Sequence, residues 1–234
     1  MAEPVAAAVV ASAITKNVRR TILGLVLFGI AFGYLEAAVV VYLRTLSAPI
    51  REGAGLPSNN LFPLTRISEL GPYLRVVKIE VVREAATLIM LAAIALTAAS
   101  GFRGWLSGFS LVFGVWDLAF YGSLKVLIAW PQDLFTWDLL FLLPVPWSAP
   151  VLAPVIVATS LVIGGTLGLL RNPPKVSWIP WTLLVSGGAI LLAAFMWDWR
   201  NVANGGVPHP FAWGIFAAGE LTGLLGLAAA IRKS

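Results

Sequence analysis

Charged side chains interrupt several stretches of the sequence that are otherwise almost wholly apolar. Three of them are acids that fall well inside such stretches: Glu36, Asp117 and Glu220. A carboxylate at the centre of a bilayer costs at least roughly 2.5 to 3.5 kcal/mol, so such groups usually face one another or a water-accessible cavity. Carboxyls in that setting can relay protons or bind cations, and the acids therefore point to proton or cation chemistry.

A second group of charges lies close together in the sequence. Glu80 is about one helical turn from both Arg83 and Glu84, so a helix would bring the three side chains to neighbouring positions. This spacing predicts a short polar ladder on one helix.

A third set follows at steps of four residues. Asp117, Tyr121 and Lys125 would lie roughly along one stripe of a helix. We predict that these groups converge in the outer half of the membrane on one polar cavity that binds an ion or a proton. The predicted lining residues are Glu36, Glu84, Asp117, Tyr121, Lys125 and Glu220, with Glu80, Arg83 and Asp138 as secondary members.

A purely structural role is the alternative for some of these charges. Lys125 could pair with an acid and Arg83 with a neighbouring glutamate, which would fix the packing of helices, and long side chains near the membrane boundary could reach the headgroups. For Glu36, Asp117 and Glu220 their depth favours function, because a neutral residue would be the cheaper structural choice.

The composition indicates that these residues lie in a lipid bilayer. Hydrophobic residues make up 59% of the 234 positions and charged residues only 12%, against roughly 25% charged in soluble domains. Several apolar runs approach the roughly 20 residues that a helix needs to cross a bilayer. The run 85–99 lacks the alternation of a membrane β-strand. The expected fold class is therefore all-α, a polytopic transmembrane helix bundle in contact with the lipid bilayer.

Charge, proline and glycine clusters divide the chain into elements. We predict a cytoplasmic lead-in at 1–20 and a single transmembrane domain at 21–234. The six predicted spans are 21–43, 79–99, 105–129, 149–170, 177–197 and 211–231.

Two connecting segments are unusual. Residues 131–150 are too apolar for a free loop and too rich in proline for a helix, which predicts a re-entrant or interfacial segment that roofs the cavity, or a belt of aromatic residues at the membrane surface. The long connection 44–78 is either a simple connector or carries an amphipathic stretch at 64–78.

Basic residues indicate the orientation. With the N-terminus inside, eight lysines and arginines lie in cytoplasmic segments and six lie outside, which favours cytoplasmic N- and C-termini in the plasma membrane. The formal charge of +5 then reflects membrane orientation, and no nucleic acid partner is expected.

The residue types that the chain lacks exclude several kinds of catalysis and metal binding. The chain has no cysteine and one histidine, His209, which excludes thiolate catalysis and any cysteine- or bis-histidine-ligated metal built by this chain alone. We expect neither a cofactor nor a metal. Sequence motifs of hydrolases and phosphate-binding loops are also absent. This favours a non-enzymatic role.

The leading hypothesis is proton or cation handling or solute transport. One alternative is a non-catalytic subunit or assembly factor, whose buried charges pair with another membrane subunit or a second copy of the chain. A further alternative is a lipid-modifying enzyme that uses paired acids for general acid–base catalysis.

Overall fold

The protein is described by a computed structural model that covers residues 2–53, 55, 62–64, 74–98, 100–171 and 177–232; for 2–16, 50 and 98 only the backbone is described. Seven helices and one β-hairpin form this part of the chain. They are α1 (Ala2–Gly53), α2 (Leu74–Ala98), α3 (Gly101–Ile128), β1 (Trp137–Phe141), β2 (Trp147–Pro150), α4 (Leu152–Arg171), α5 (Trp178–Phe195), α6 (Trp199–Ala203) and α7 (Trp213–Arg232).

Within the described residues, five helices are long and apolar enough to cross a membrane: α1, α3, α4, α5 and α7. The 25-residue helix α2 carries its charges in the first half and is apolar in the second, and it completes a bundle of about six spans. The predicted all-α polytopic bundle is confirmed.

Outward-facing side chains agree with a lipid environment. Val126, Val185 and Val82 are 85%, 68% and 68% exposed, and many other large apolar residues on the helices are exposed as well. So much exposed apolar surface is stable only in contact with lipid.

The first helix is longer than the predicted span 21–43. It continues through the predicted lead-in and on to Gly53, with Pro49 inside it. The predicted span ends at residue 43, before Arg44, but arginine is a good helix former and does not by itself end a helix. The connection to α2 is therefore shorter than 44–78. Of the predicted amphipathic stretch 64–78, residues 74–78 belong to α2 and 65–73 lie outside the described residues.

The segment 131–150 contains an antiparallel β-hairpin. Trp137 pairs with Pro150 and Phe141 with Trp147, with a register shift between Leu139 and Phe141. A hairpin satisfies much of its own backbone hydrogen bonding, which a proline-rich loop at membrane depth cannot do. The hairpin is the one departure from a purely helical fold in the described residues.

Helix α3 is the centre of one part of the bundle, and glycines allow its neighbours to approach. It packs along both α1 and α4 and also contacts α2. A Cβ on Gly33 of α1 would lie 2.5 Å from the Trp116 carbonyl oxygen, and one on Gly114 would lie 2.5 Å from the Ala158 carbonyl oxygen. Small residues at these contacts let the backbones meet, as is common between membrane helices.

Helices α5 and α7 form a second closely packed pair. They contact each other extensively, whereas their contacts to α4 and to strand β2 are sparse. The pair is close because Gly187 of α5 lies directly against the α7 backbone, and a Cβ there would be 2.5 Å from the Gly223 nitrogen.

Two adjacent glycines of α5 provide a matched test of this packing. Gly187→Ala should destabilise the protein by about 1 to 3 kcal/mol, because the new methyl group would collide with the α7 backbone. Gly188→Ala should leave stability unchanged or slightly higher, because its Cβ would meet nothing within 4 Å. Thermal unfolding of the two variants in detergent checks the prediction. Equal melting temperatures for both would show that the close contact between α5 and α7 is wrong.

Candidate functional site

A cavity of about 430 Å³ lies beneath the β-hairpin, between α1, α2, α3, α4 and α5. Its wall combines aromatic side chains with an unusual concentration of polar ones for a membrane interior. The polar wall residues are Glu36, Glu80, Arg83, Glu84, Thr87, Asp117, Tyr121 and Asp138.

Most of the residues singled out in the sequence lie on this wall. Four of the six predicted lining residues do so, and so do all three secondary ones. Lys125 and Glu220 lie elsewhere. The hairpin contributes Asp138 and its neighbours to the wall and lies over the cavity, and it belongs to the segment 131–150 for which the sequence predicts a re-entrant or interfacial position.

Arg83 of α2 organises one side of the wall. Its guanidinium donates two hydrogen bonds to Glu80, from Nη2 to Oε1 at 2.6 Å and from Nε to Oε2 at 2.9 Å. It also forms an ion pair with Glu36 of α1. Thr87, one turn further on, donates to Glu36 Oε2 at 3.3 Å. A guanidinium suits this role because its planar fork of donors can satisfy two carboxylates at once.

Glu84 connects the wall to the roof. Its side chain is buried, and its Oε2 accepts a hydrogen bond of 2.8 Å from the backbone N–H of Leu142 in the turn of the hairpin. The roof is therefore held to α2 by a carboxylate.

Tyr121, Asp138 and Arg44 form a second polar group. The Tyr121 hydroxyl donates to Asp138 Oδ2 at 2.9 Å, and Arg44 interacts electrostatically with Asp138 while it lies over the Trp130 ring at 4.0 Å. Burial raises the pKa of Asp138 to about 6, although Arg44 and the tyrosine hydrogen bond act in the opposite direction. We had placed Arg44 in an outer loop, so the sequence did not reveal this partner.

Asp117 differs from the other acids. It is half-buried on the cavity wall, and in the described part of the chain no hydrogen bond or ion pair involves its side chain. Its charged neighbour is Asp138, which has the same sign. Within the described residues, the carboxyl group of Asp117 therefore has no hydrogen-bond partner.

Lys125 is not part of the cavity. Its side-chain nitrogen donates to the carbonyl oxygens of Pro131 and Gln132 at 2.7 and 3.4 Å, near the end of α3. The stripe from Asp117 drifts by about 40° for each step of four residues, which turns Lys125 away after two steps.

Glu220 of α7 lies in a second, smaller cavity of about 250 Å³ between α3, α4, α5 and α7. Its carboxylate accepts a hydrogen bond from Ser160 of α4. Arg103 and Arg171 also line this cavity, at the ends of α3 and α4 remote from the hairpin. The two cavities share wall residues: Val157, Leu161, Gly188 and Leu191.

Aromatic rings form the rest of the larger cavity's wall. Trp116 and Phe141 have ring centroids 6.3 Å apart, Phe141 and Trp147 5.4 Å, and Trp147 and Phe195 6.3 Å. In the described structure the buried indole nitrogens of Trp116 and Trp147 have no hydrogen-bond partner. The sequence left two possibilities for the segment that contains Trp147, a re-entrant or interfacial roof and an aromatic belt at the membrane surface, and the structure places the Trp147 ring on the cavity wall.

The described residues contain no cluster of three or more histidine, cysteine, aspartate or glutamate side chains that could hold a metal ion. Comparison with known proteins gives no match, since no family model, no curated protein and no solved structure matches the chain. Fold and site together define a multi-pass helical membrane protein with buried acids on the wall of an internal cavity.

Removal of Arg83 should destabilise the protein, because two acids lose their positively charged partner. Arg83→Met leaves Glu36 and Glu80 without their cation, and breaking such a pair costs about 3 kcal/mol or more when it is fully buried. We expect a clear fall in the melting temperature in detergent, with part of the loss recovered in the Arg83→Met, Glu36→Gln double variant. A single variant as stable as wild type would show that the ion pair does not form.

Proposed function

We propose that the protein handles protons or larger cations in the plasma membrane, taking them into the acidic cavity and passing them across the bundle. The observation that carries this proposal is Asp117, an acid on a cavity wall with no partner in the described structure. A carboxylate at this depth is costly unless a proton or a cation compensates it.

The balance of charge on the wall supports a positively charged cargo. Five acids line the cavity against one basic residue, Arg83, which already bridges two of them. Arg44 adds a second positive charge beside Asp138. The potential within the cavity therefore favours cations over anions.

The second cavity supports movement through the protein. Because the two cavities share two wall residues of α4 and two of α5, they adjoin each other between α4 and α5. Ser160 and Glu220 continue the series of polar groups beyond the first cavity. With cytoplasmic termini, as the basic residues indicate, the hairpin covers the outer end of this route.

Replacement of Asp117 tests the function directly. Purified protein in liposomes on a solid-supported membrane is exposed to concentration jumps of protons, Na⁺, K⁺ and choline, and the current is recorded. At least one of these cations should produce a current that falls at least tenfold in Asp117→Asn, because the variant lacks the unpaired charge. Asp133→Asn is the matched control, since Asp133 is exposed and lies outside the cavity wall. The proposal is wrong if wild type gives no current with any of the four, or if Asp117→Asn behaves like wild type.

Gly188 tests the route between the cavities. A larger side chain there would enter shared space without a collision, because its Cβ meets nothing within 4 Å. Gly188→Leu should therefore suppress the current while the melting temperature stays near that of wild type. Gly24→Leu is the control, because Gly24 also has free space at its Cβ but is exposed and lines neither cavity. Normal currents in Gly188→Leu would rule out passage at this point.

A further inference from the structure

We infer that the larger cavity binds an organic cation, an amine or quaternary ammonium compound. The inference extends the proposed function. Movement of this cation across the membrane rests on the proposed function, whereas its binding in the cavity does not. Size, aromatic lining and the arrangement of charge all lead to this ligand class.

The cavity is much larger than a bare ion requires. Its volume of about 430 Å³ falls within the roughly 300 to 1,000 Å³ of typical small-molecule sites. A divalent metal ion requires several oxygen or nitrogen ligands that converge on one point. The described residues contain no cluster of three such side chains. A molecule with several heavy atoms fits this space better than an inorganic ion.

The aromatic side chains favour a cation with an apolar exterior. Trp116, Phe141, Trp147 and Phe195 line the cavity as a continuous series of ring contacts, beginning on α3, crossing the hairpin and ending on α5. Aromatic faces attract alkylated ammonium groups through the ring quadrupole, and they also accommodate the methyl or methylene groups around the nitrogen. A strongly hydrated metal ion would gain little from such a wall.

The acids supply the opposite charge next to these rings. Asp117 follows Trp116 directly in α3, and both residues line the cavity. Glu84 lines it from α2 beneath the roof. An ammonium group in this cavity would therefore have both carboxylates and aromatic rings on the surrounding wall.

The test compares a cation with its neutral isostere. Choline and 3,3-dimethylbutan-1-ol have the same shape and hydroxyl group but differ in charge, and isothermal titration calorimetry of the purified protein measures the binding of each. Choline should bind at least tenfold more tightly than the alcohol, and Asp117→Asn should remove most of that difference. Equal affinities for the two compounds, or no binding of choline, would overturn the inference.

A pair of substitutions at one position separates aromatic recognition from packing. Trp147→Phe keeps a ring in the wall and should bind choline within a few-fold of wild type, whereas Trp147→Leu should lose about tenfold or more. If the two variants bind choline equally well, the rings do not recognise the cation.

The results also distinguish this inference from the proposed function. Proton or metal-ion currents that depend on Asp117, without choline binding, would leave the proposed function standing and refute the organic cation. Choline binding that produces no current in the liposomes would support the ligand class and refute transport.

Discussion

The need to compensate charge in a medium of low dielectric constant governs the interior of this protein. The interaction that compensates charge most fully is the pair of ion pairs that Arg83 forms with Glu36 and Glu80. It joins α1 to α2 and neutralises part of the acidic wall. Without it, like charges would repel across the cavity, and the two helices would lose the ion pair that joins them.

The β-hairpin solves a second problem of membrane depth, which is the hydrogen bonding of non-helical backbone. Its strands pair with each other, and the turn donates an N–H group to Glu84. Leu140 and Trp147 pack the hairpin against apolar residues of α1, α3, α4 and α5, so protein covers part of its backbone. The same residues that stabilise the roof also form the upper wall of the cavity.

The sequence predicted the fold class well because hydrophobic length is a strong signal in membrane proteins. It predicted helix ends less well, since Arg44 looked like the end of a span but lies within a helix. For the site, depth singled out Glu36, Asp117 and Glu220, because the cost of a charge depends on its position along the helix, whereas Glu84 was found from its spacing to Glu80. Which helices neighbour one another cannot be derived from one sequence, and for this reason Glu220 was assigned to the wrong cavity. The hairpin left no recognisable pattern because its strands are short and mostly apolar.

The tight pairing of α5 with α7 has a mechanical consequence. The glycine contact brings the backbones of these two helices together, while their contacts to α4 and β2 are fewer and are made by side chains such as Phe195, which stacks on Trp147. Both cavities lie along this boundary. A small rotation of this pair of helices would therefore change the width of both cavities in a single movement.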